Sequence, residues 1–244
     1  MAKLEWRRSE QHPTCRDFVL EPESGRTVTG ALWLPDGYRA GDPLALVGHG
    51  ASGDRYQPPG THFARRFASH GAATLALDGP VHGLRQVGPG GRAAFAREMQ
   101  RPSFLDDMVA DWDAALRVLG SEVGVGRGGN VYFGLSMGSI FGVPLLAARG
   151  DITAACLGLL GTSGTGALIG SRLRQDAAAI RAPILFLVQL EDELFPRDGC
   201  LDLFDHLASD TKCLHASPGT HAQVPLPELR AASDFVLRYL CEAA

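Results

Sequence analysis

A serine stands between two glycines in Gly134-Leu135-Ser136-Met137-Gly138, which matches G-x-S-x-G, follows the apolar run 131–133 and precedes a segment compatible with a helix. A strand-to-helix turn of this kind pushes the hydroxyl out above the strand ends, and glycines on either side avoid collisions with neighbouring backbone. The chemistry on offer is nucleophilic attack on an acyl carbon. The helix after the turn presents free N–H groups to negative charge developing on the acyl oxygen, so the Met137 amide is a candidate oxyanion donor. The plainer alternative for Ser136 is an ordinary helix N-cap.

A serine hydroxyl is a weak nucleophile near neutral pH and needs a base. His221 lies in Ser217-Pro218-Gly219-Thr220-His221, after the last apolar run and before a helix starting near Pro225. A loop there opens at the sheet edge expected for Ser136. His215 falls within or at the end of a strand, and His206 lies on a helix beside Leu203 and Phe204. The carboxylate that would orient the base belongs just past the preceding strand, where Glu191, Asp192 and Glu193 are all available. Asp192 is the choice, because a short side chain at a strand end can hold the imidazole N–H and stabilise the imidazolium; Glu191 and Glu193 are expected to face outward. The second oxyanion donor is expected from Gly48-His49-Gly50-Ala51-Ser52-Gly53, with the Ala51 N–H preferred and Ser52 the alternative. His49 is expected to structure that loop.

The elements that must position these groups follow from periodicity. Alternating runs at 14–20 and 27–34, joined by the turn former Pro22 to Gly25, suggest an antiparallel strand pair. Short apolar runs at 44–47, 73–77, 130–133, 155–159, 184–188 and 211–214 then alternate with segments of helical period, which means a parallel sheet covered on both faces. The clearest helix spans 104–119, with Leu105, Met108, Val109, Trp112, Leu116 and Leu119 on one face and Ser103 with Asp106 as a capping box. Its Asp107, Asp111 and Asp113 read as a solvated face rather than a metal cluster. With no repeat or linker, residues 1–244 are expected to form a single domain.

Composition excludes several classes. In 244 residues, a net charge of -4 without Lys/Arg runs carries no footprint for nucleic acid or anionic lipid, so the expected partner is a small acyl compound. Composition assigns no oligomeric state. The N-terminus carries charge and no apolar h-region, and no stretch approaches the roughly 18 apolar residues of a membrane span, which suggests a cytoplasmic protein. Five scattered cysteines without C-x-x-C indicate buried reduced thiols rather than disulfides or a metal site. Gly48 to Gly53 also fits G-x-G-x-x-G, with Asp78 ending the next strand, yet Pro58, Pro59 and Gly60 would break the helix that a dinucleotide fingerprint needs. The same spacing recurs at Gly124, Gly126 and Gly129 directly before a strand. No cofactor and no metal are expected.

Taken together, Gly48-His49-Gly50, Gly134 to Gly138, Asp192 and His221 resemble the α/β-hydrolase superfamily over nearly the whole chain, and more loosely its compact dienelactone-hydrolase-like and small esterase branches. The order Ser136, Asp192, His221 is the one associated with that superfamily. Leu77-Asp78-Gly79-Pro80-Val81-His82-Gly83 looks like its D-x-x-G-x-G or D-x-P-x-H-G loop after the second parallel strand. The resemblance implies an α/β-hydrolase fold: a mostly parallel eight-stranded sheet with an antiparallel N-terminal strand pair, helices on both faces and a minimal cap. Only the stretch 161–183 separates two of the expected strands, so residues 84–102 are expected to shape the pocket instead. A serine departs from the cysteine nucleophile of dienelactone hydrolases proper. The implied activity is cleavage of a carboxylic ester through an acyl-enzyme. Amide or thioester hydrolysis or acyl transfer would use the same triad, and a non-catalytic binding relative would be expected to have lost part of it.

Overall fold

The computed structural model describes residues 2–9, 12, 14–23 and 25–242. Among these, nine strands form one sheet: β1 (Lys3–Arg8), β2 (Cys15–Glu21), β3 (Val28–Trp33), β4 (Leu44–Gly48), β5 (Ala73–Leu77), β6 (Asn130–Gly134), β7 (Ile152–Gly158), β8 (Ile184–Gln189) and β9 (Lys212–Ser217). Their spatial order is β1-β2-β3-β5-β4-β6-β7-β8-β9. The first three strands pair antiparallel and β3 joins β5 antiparallel, while β4 to β9 run parallel. The β2–β3 turn closes with a hydrogen bond from Gly25 N–H to Pro22 O (2.9 Å); Ser24 within it lies outside the described residues.

The sheet has one strand more than the eight expected. The added β1 reads Lys-Leu-Glu-Trp-Arg-Arg, whose charged residues leave four of its six positions exposed, so a search for apolar runs passes over it. It is held as an edge strand by its ladder with β2, by Trp6 edge-on to Phe18 (6.1 Å) and by the Arg16 guanidinium 4.1 Å from the Trp6 ring.

Alternation along the parallel strands sends successive side chains to opposite faces. Leu44, Leu46, Leu75, Phe186 and Val188 pack on one face with α3 (Phe104–Val123), α4 (Met137–Ala148), α5 (Gly170–Ala177) and α6 (Arg197–His206). Ala45, Val47, Ala76, Leu185 and Leu187 pack on the other with α1 (Gly60–Ala68) and α7 (Leu226–Glu242). Each fully buried Leu, Val or Phe on these faces is worth about 1.5–3 kcal/mol. No helix among the described residues is long and apolar enough to cross a membrane.

Helix α3 departs from expectation at both ends and along its acidic side. The Ser103 hydroxyl donates to Asp107 Oδ2 (3.1 Å) and caps no backbone N–H, so the capping box does not form. The helix runs on to Val123, where Gly124 in the left-handed region (φ 78°) ends it. Asp111 is buried rather than solvated, receiving Arg26 Nε at 2.7 Å and Arg85 Nη1 at 2.8 Å. These partners come from the β2–β3 turn and the loop after β5, 85 and 26 residues away in sequence, which is why helical periodicity alone misplaces the carboxylate. Burial pushes the Asp111 carboxyl up against the pull of Arg85 and Arg26. Of the cysteines, Cys15, Cys156 and Cys200 are buried, whereas Cys213 and Cys241 are exposed.

Candidate active site

Ser136 occupies the sharp turn between β6 and α4 at φ 56°, ψ -118°, a region that non-glycine residues rarely adopt. Its N–H donates to Gly158 O (3.0 Å), which ties the turn to β7. The flanking glycines are needed for closeness: a Cβ on Gly134 would come within 2.8 Å of the Gly138 backbone, and one on Gly138 within 2.6 Å of Gly48 O. The turn can therefore sit against β4, the strand whose exit loop carries Ala51.

Asp192 follows β8 and His221 follows β9, and parallel strands deliver both loops to the edge at which Ser136 emerges. His221 Nδ1 lies 2.8 Å from Asp192 Oδ2, and Nε2 lies 2.9 Å from Ser136 Oγ. A carboxylate oxygen can only accept, so Nδ1 donates and the neutral ring leaves Nε2 free to accept from the serine hydroxyl. The other carboxylate oxygen, Oδ1, accepts the N–H groups of Leu194 (2.8 Å) and Phe195 (3.0 Å). Burial opposes ionisation of Asp192, but the bonds from His221, Phe195 and Leu194 outweigh it and hold its carboxyl below the usual range. The group is thus anionic wherever the imidazole needs a partner.

The loop after β4 is braced by His49, Gln57 and His82. His49 is buried; its Nδ1 donates to Gly50 O (2.8 Å) and its Nε2 accepts the Gly79 N–H (2.8 Å), so it structures the loop as expected. Burial pulls its pKa down to about 4. Gln57 accepts the Gly50 N–H at Oε1 (2.7 Å) and donates from Nε2 to Ser52 Oγ (2.9 Å). His82 reaches Pro80 O (2.7 Å) and Ala51 O (3.1 Å) with its two ring nitrogens, fastening the D-x-P-x-H-G loop to this one. Nothing in sequence marks Gln57, because its partners are a backbone N–H and a neighbouring hydroxyl. His82 could have been suspected from its motif.

One further expectation needs correction. Glu191 and Glu193 are exposed, but they do not simply face outward: Glu191 accepts the Gly219 N–H and Glu193 accepts the His221 N–H (2.9 Å). The glycine-rich segment set aside as a dinucleotide fingerprint has no helix directly after it, and the acidic residue of that pattern is occupied. α1 starts only at Gly60, and Asp78 is fully buried and committed to Thr29 Oγ1 (2.6 Å), Arg55 Nη1 (3.0 Å) and the N–H groups of Arg55 and Leu84.

Ser136 and His221 open onto a cavity of about 290 Å³, whose walls include Ala51, Gln57, Leu159, Leu194 and Val224. Within residues 84–102 lies α2 (Gly91–Glu98), which contributes Arg92 to the wall while Phe95 packs against His82 and Phe141. That segment shapes the pocket, as the short stretch between β7 and β8 implies.

No protein-family profile matches the sequence, and no curated protein matches it. Solved structures do. A cold-adapted esterase from an Arctic intertidal metagenomic library is 32% identical, covering 96% of this chain and 99% of its own, with a TM-score of 0.83. An acetyl xylan esterase from Paenibacillus sp. R4 is 19% identical over 98% of this chain and 88% of its own, at a TM-score of 0.71. An esterase from Pyrococcus furiosus is 15% identical over 97% of this chain and 94% of its own, at 0.70. These last two share the fold.

Proposed function

The chain belongs to the α/β-hydrolase superfamily, in the family of the cold-adapted esterase that it matches over nearly its whole length, and from that membership we propose that it is a serine carboxylesterase. Ser136 is the nucleophile, His221 the general base and Asp192 the group that orients it. The observation that carries this reading is the unbroken hydrogen-bond chain from Asp192 Oδ2 through both nitrogens of His221 to Ser136 Oγ.

The substrate is a small acyl ester seated in the cavity. His221 Nε2 takes the hydroxyl proton as Ser136 Oγ bonds to the ester carbonyl carbon, whose π electrons move onto oxygen. The Met137 amide, first in α4 and so without an acceptor inside the helix, and the Ala51 amide receive that oxyanion. The intermediate collapses with cleavage of the bond to the alkoxy oxygen, which takes the proton from His221 and leaves as the alcohol. Water, deprotonated by the same nitrogen, then attacks the acyl-enzyme, and the acid departs as Ser136 regains its proton. A cavity of about 290 Å³ lies at the lower end of the range for small-molecule sites, which favours short acyl chains.

The test is hydrolysis of p-nitrophenyl acetate, butyrate and octanoate by the wild type and Ser136→Ala. The wild type is expected to prefer the two short esters, and the variant to lose about 10⁴-fold or more in kcat. Undiminished turnover in Ser136→Ala contradicts the assignment of the nucleophile; a preference for octanoate contradicts the short-chain reading.

A further inference from the structure

The segment leaving β8 does more to the histidine loop than supply Asp192. Four of its side chains bond five groups on residues 218, 219, 221 and 223. Gln189, itself buried, donates from Nε2 to Pro218 O (3.4 Å) and Gln223 O (2.9 Å). Glu191 accepts the Gly219 N–H through its carboxylate, while its own N–H donates to Gly219 O (3.1 Å). Asp192 holds the His221 ring, and Glu193 Oε2 accepts the His221 backbone N–H at 2.9 Å.

These contacts differ in what they constrain. The bonds of Gln189 and Glu191 fix the start and end of the loop, and Asp192 fixes the orientation of the imidazole about its own Nδ1. Asp192 alone would still let the ring swing on an unanchored main chain, carrying Nε2 away from Ser136. The bond from Glu193 anchors the atom from which the His221 side chain is hung. Its carboxyl is held below the usual range, first by that His221 N–H and then by its own backbone N–H, so it is a charged acceptor near neutral pH.

We propose that Glu193 is a positioning residue, which sets the distance between His221 Nε2 and Ser136 by holding the main chain of His221. The proposal rests on the assignment of His221 as the base. Because displacement of a catalytic group by about 1 Å can cost up to about a hundredfold, the effect belongs in turnover rather than in substrate binding.

The experiment measures kcat and KM for p-nitrophenyl butyrate, and the rate of inactivation by a fluorophosphonate, in the wild type, Glu193→Ala, Glu193→Gln and Ser136→Ala, with thermal melting of each. Glu193→Ala is expected to lose about tenfold in kcat and in inactivation rate, with KM within about twofold and melting unchanged, since the side chain is exposed and packs in no core. Glu193→Gln, whose amide oxygen can accept the same N–H, is expected to stay close to the wild type. Wild-type kcat in Glu193→Ala overturns the proposal, as does a Glu193→Gln variant as impaired as the alanine. Retained activity in Ser136→Ala would instead remove the serine reading on which it stands.

Discussion

His49 illustrates how much of this site is held by groups that take no part in the reaction. With a donor at Nδ1 and an acceptor at Nε2, the ring fits its place only when neutral, and a second proton would face the Gly79 N–H. An unfolded chain takes up that proton near pH 6.5, whereas the folded protein does so only near pH 4. Between these values the unfolded state binds more protons, so stability from this residue falls as pH drops, by about 3 kcal/mol in all, and levels off below about pH 4. Denaturant unfolding of the wild type and His49→Asn at pH 7, 5.5 and 4 should show the wild-type advantage greatest at pH 7 and shrinking by that amount; a constant difference would contradict it. The grouping of Ser136, Asp192 and His221 was legible in sequence because each has a chemical type, a loop position and a place in chain order. Glu193 and Gln57 were not, because what they bind is backbone, and a sequence does not say which N–H a carboxylate or amide will reach.

At the level of elements, α4 carries the argument. Its first turn presents the Met137 amide, and Gly138 lets that turn lie against β4, where a Cβ would meet Gly48 O at 2.6 Å. Backbone on both sides cannot yield, so Gly138→Ala is expected to cost about 1–3 kcal/mol and to lower esterase activity as well, because the shift moves α4 relative to the loop that carries Ala51. Gly150→Ala, whose Cβ would meet nothing within 4 Å, serves as the control and should leave melting within about 0.5 kcal/mol of the wild type. Equal melting of the two variants would show that the close approach is not needed. Strands β4 to β8 were readable because nearly all of their residues are buried and their runs are mostly apolar, whereas β9, at the sheet edge, is largely half-buried or exposed. The strand β1 and the buried Asp111 were not, since an edge strand needs no apolar run and the partners of Asp111 come from distant loops.

Across the whole molecule, the site exists because a parallel sheet brings the exits of β6, β8 and β9 to one edge. Residues 136, 192 and 221 are far apart in sequence yet linked by contacts of 2.8 and 2.9 Å. A cold-adapted esterase shares this architecture at 32% identity over nearly the full chain, so the fold is the frame, and on the proposed reading the three loops carry the chemistry. Covalent labelling by a fluorophosphonate reads that convergence directly, because a serine hydroxyl reacts with it only when a base is aligned with it. Intact mass and peptide mapping after labelling should place one adduct on Ser136 in the wild type and none in His221→Ala. An adduct on a different residue, or labelling of Ser136 that is unaffected by loss of His221, would contradict the account.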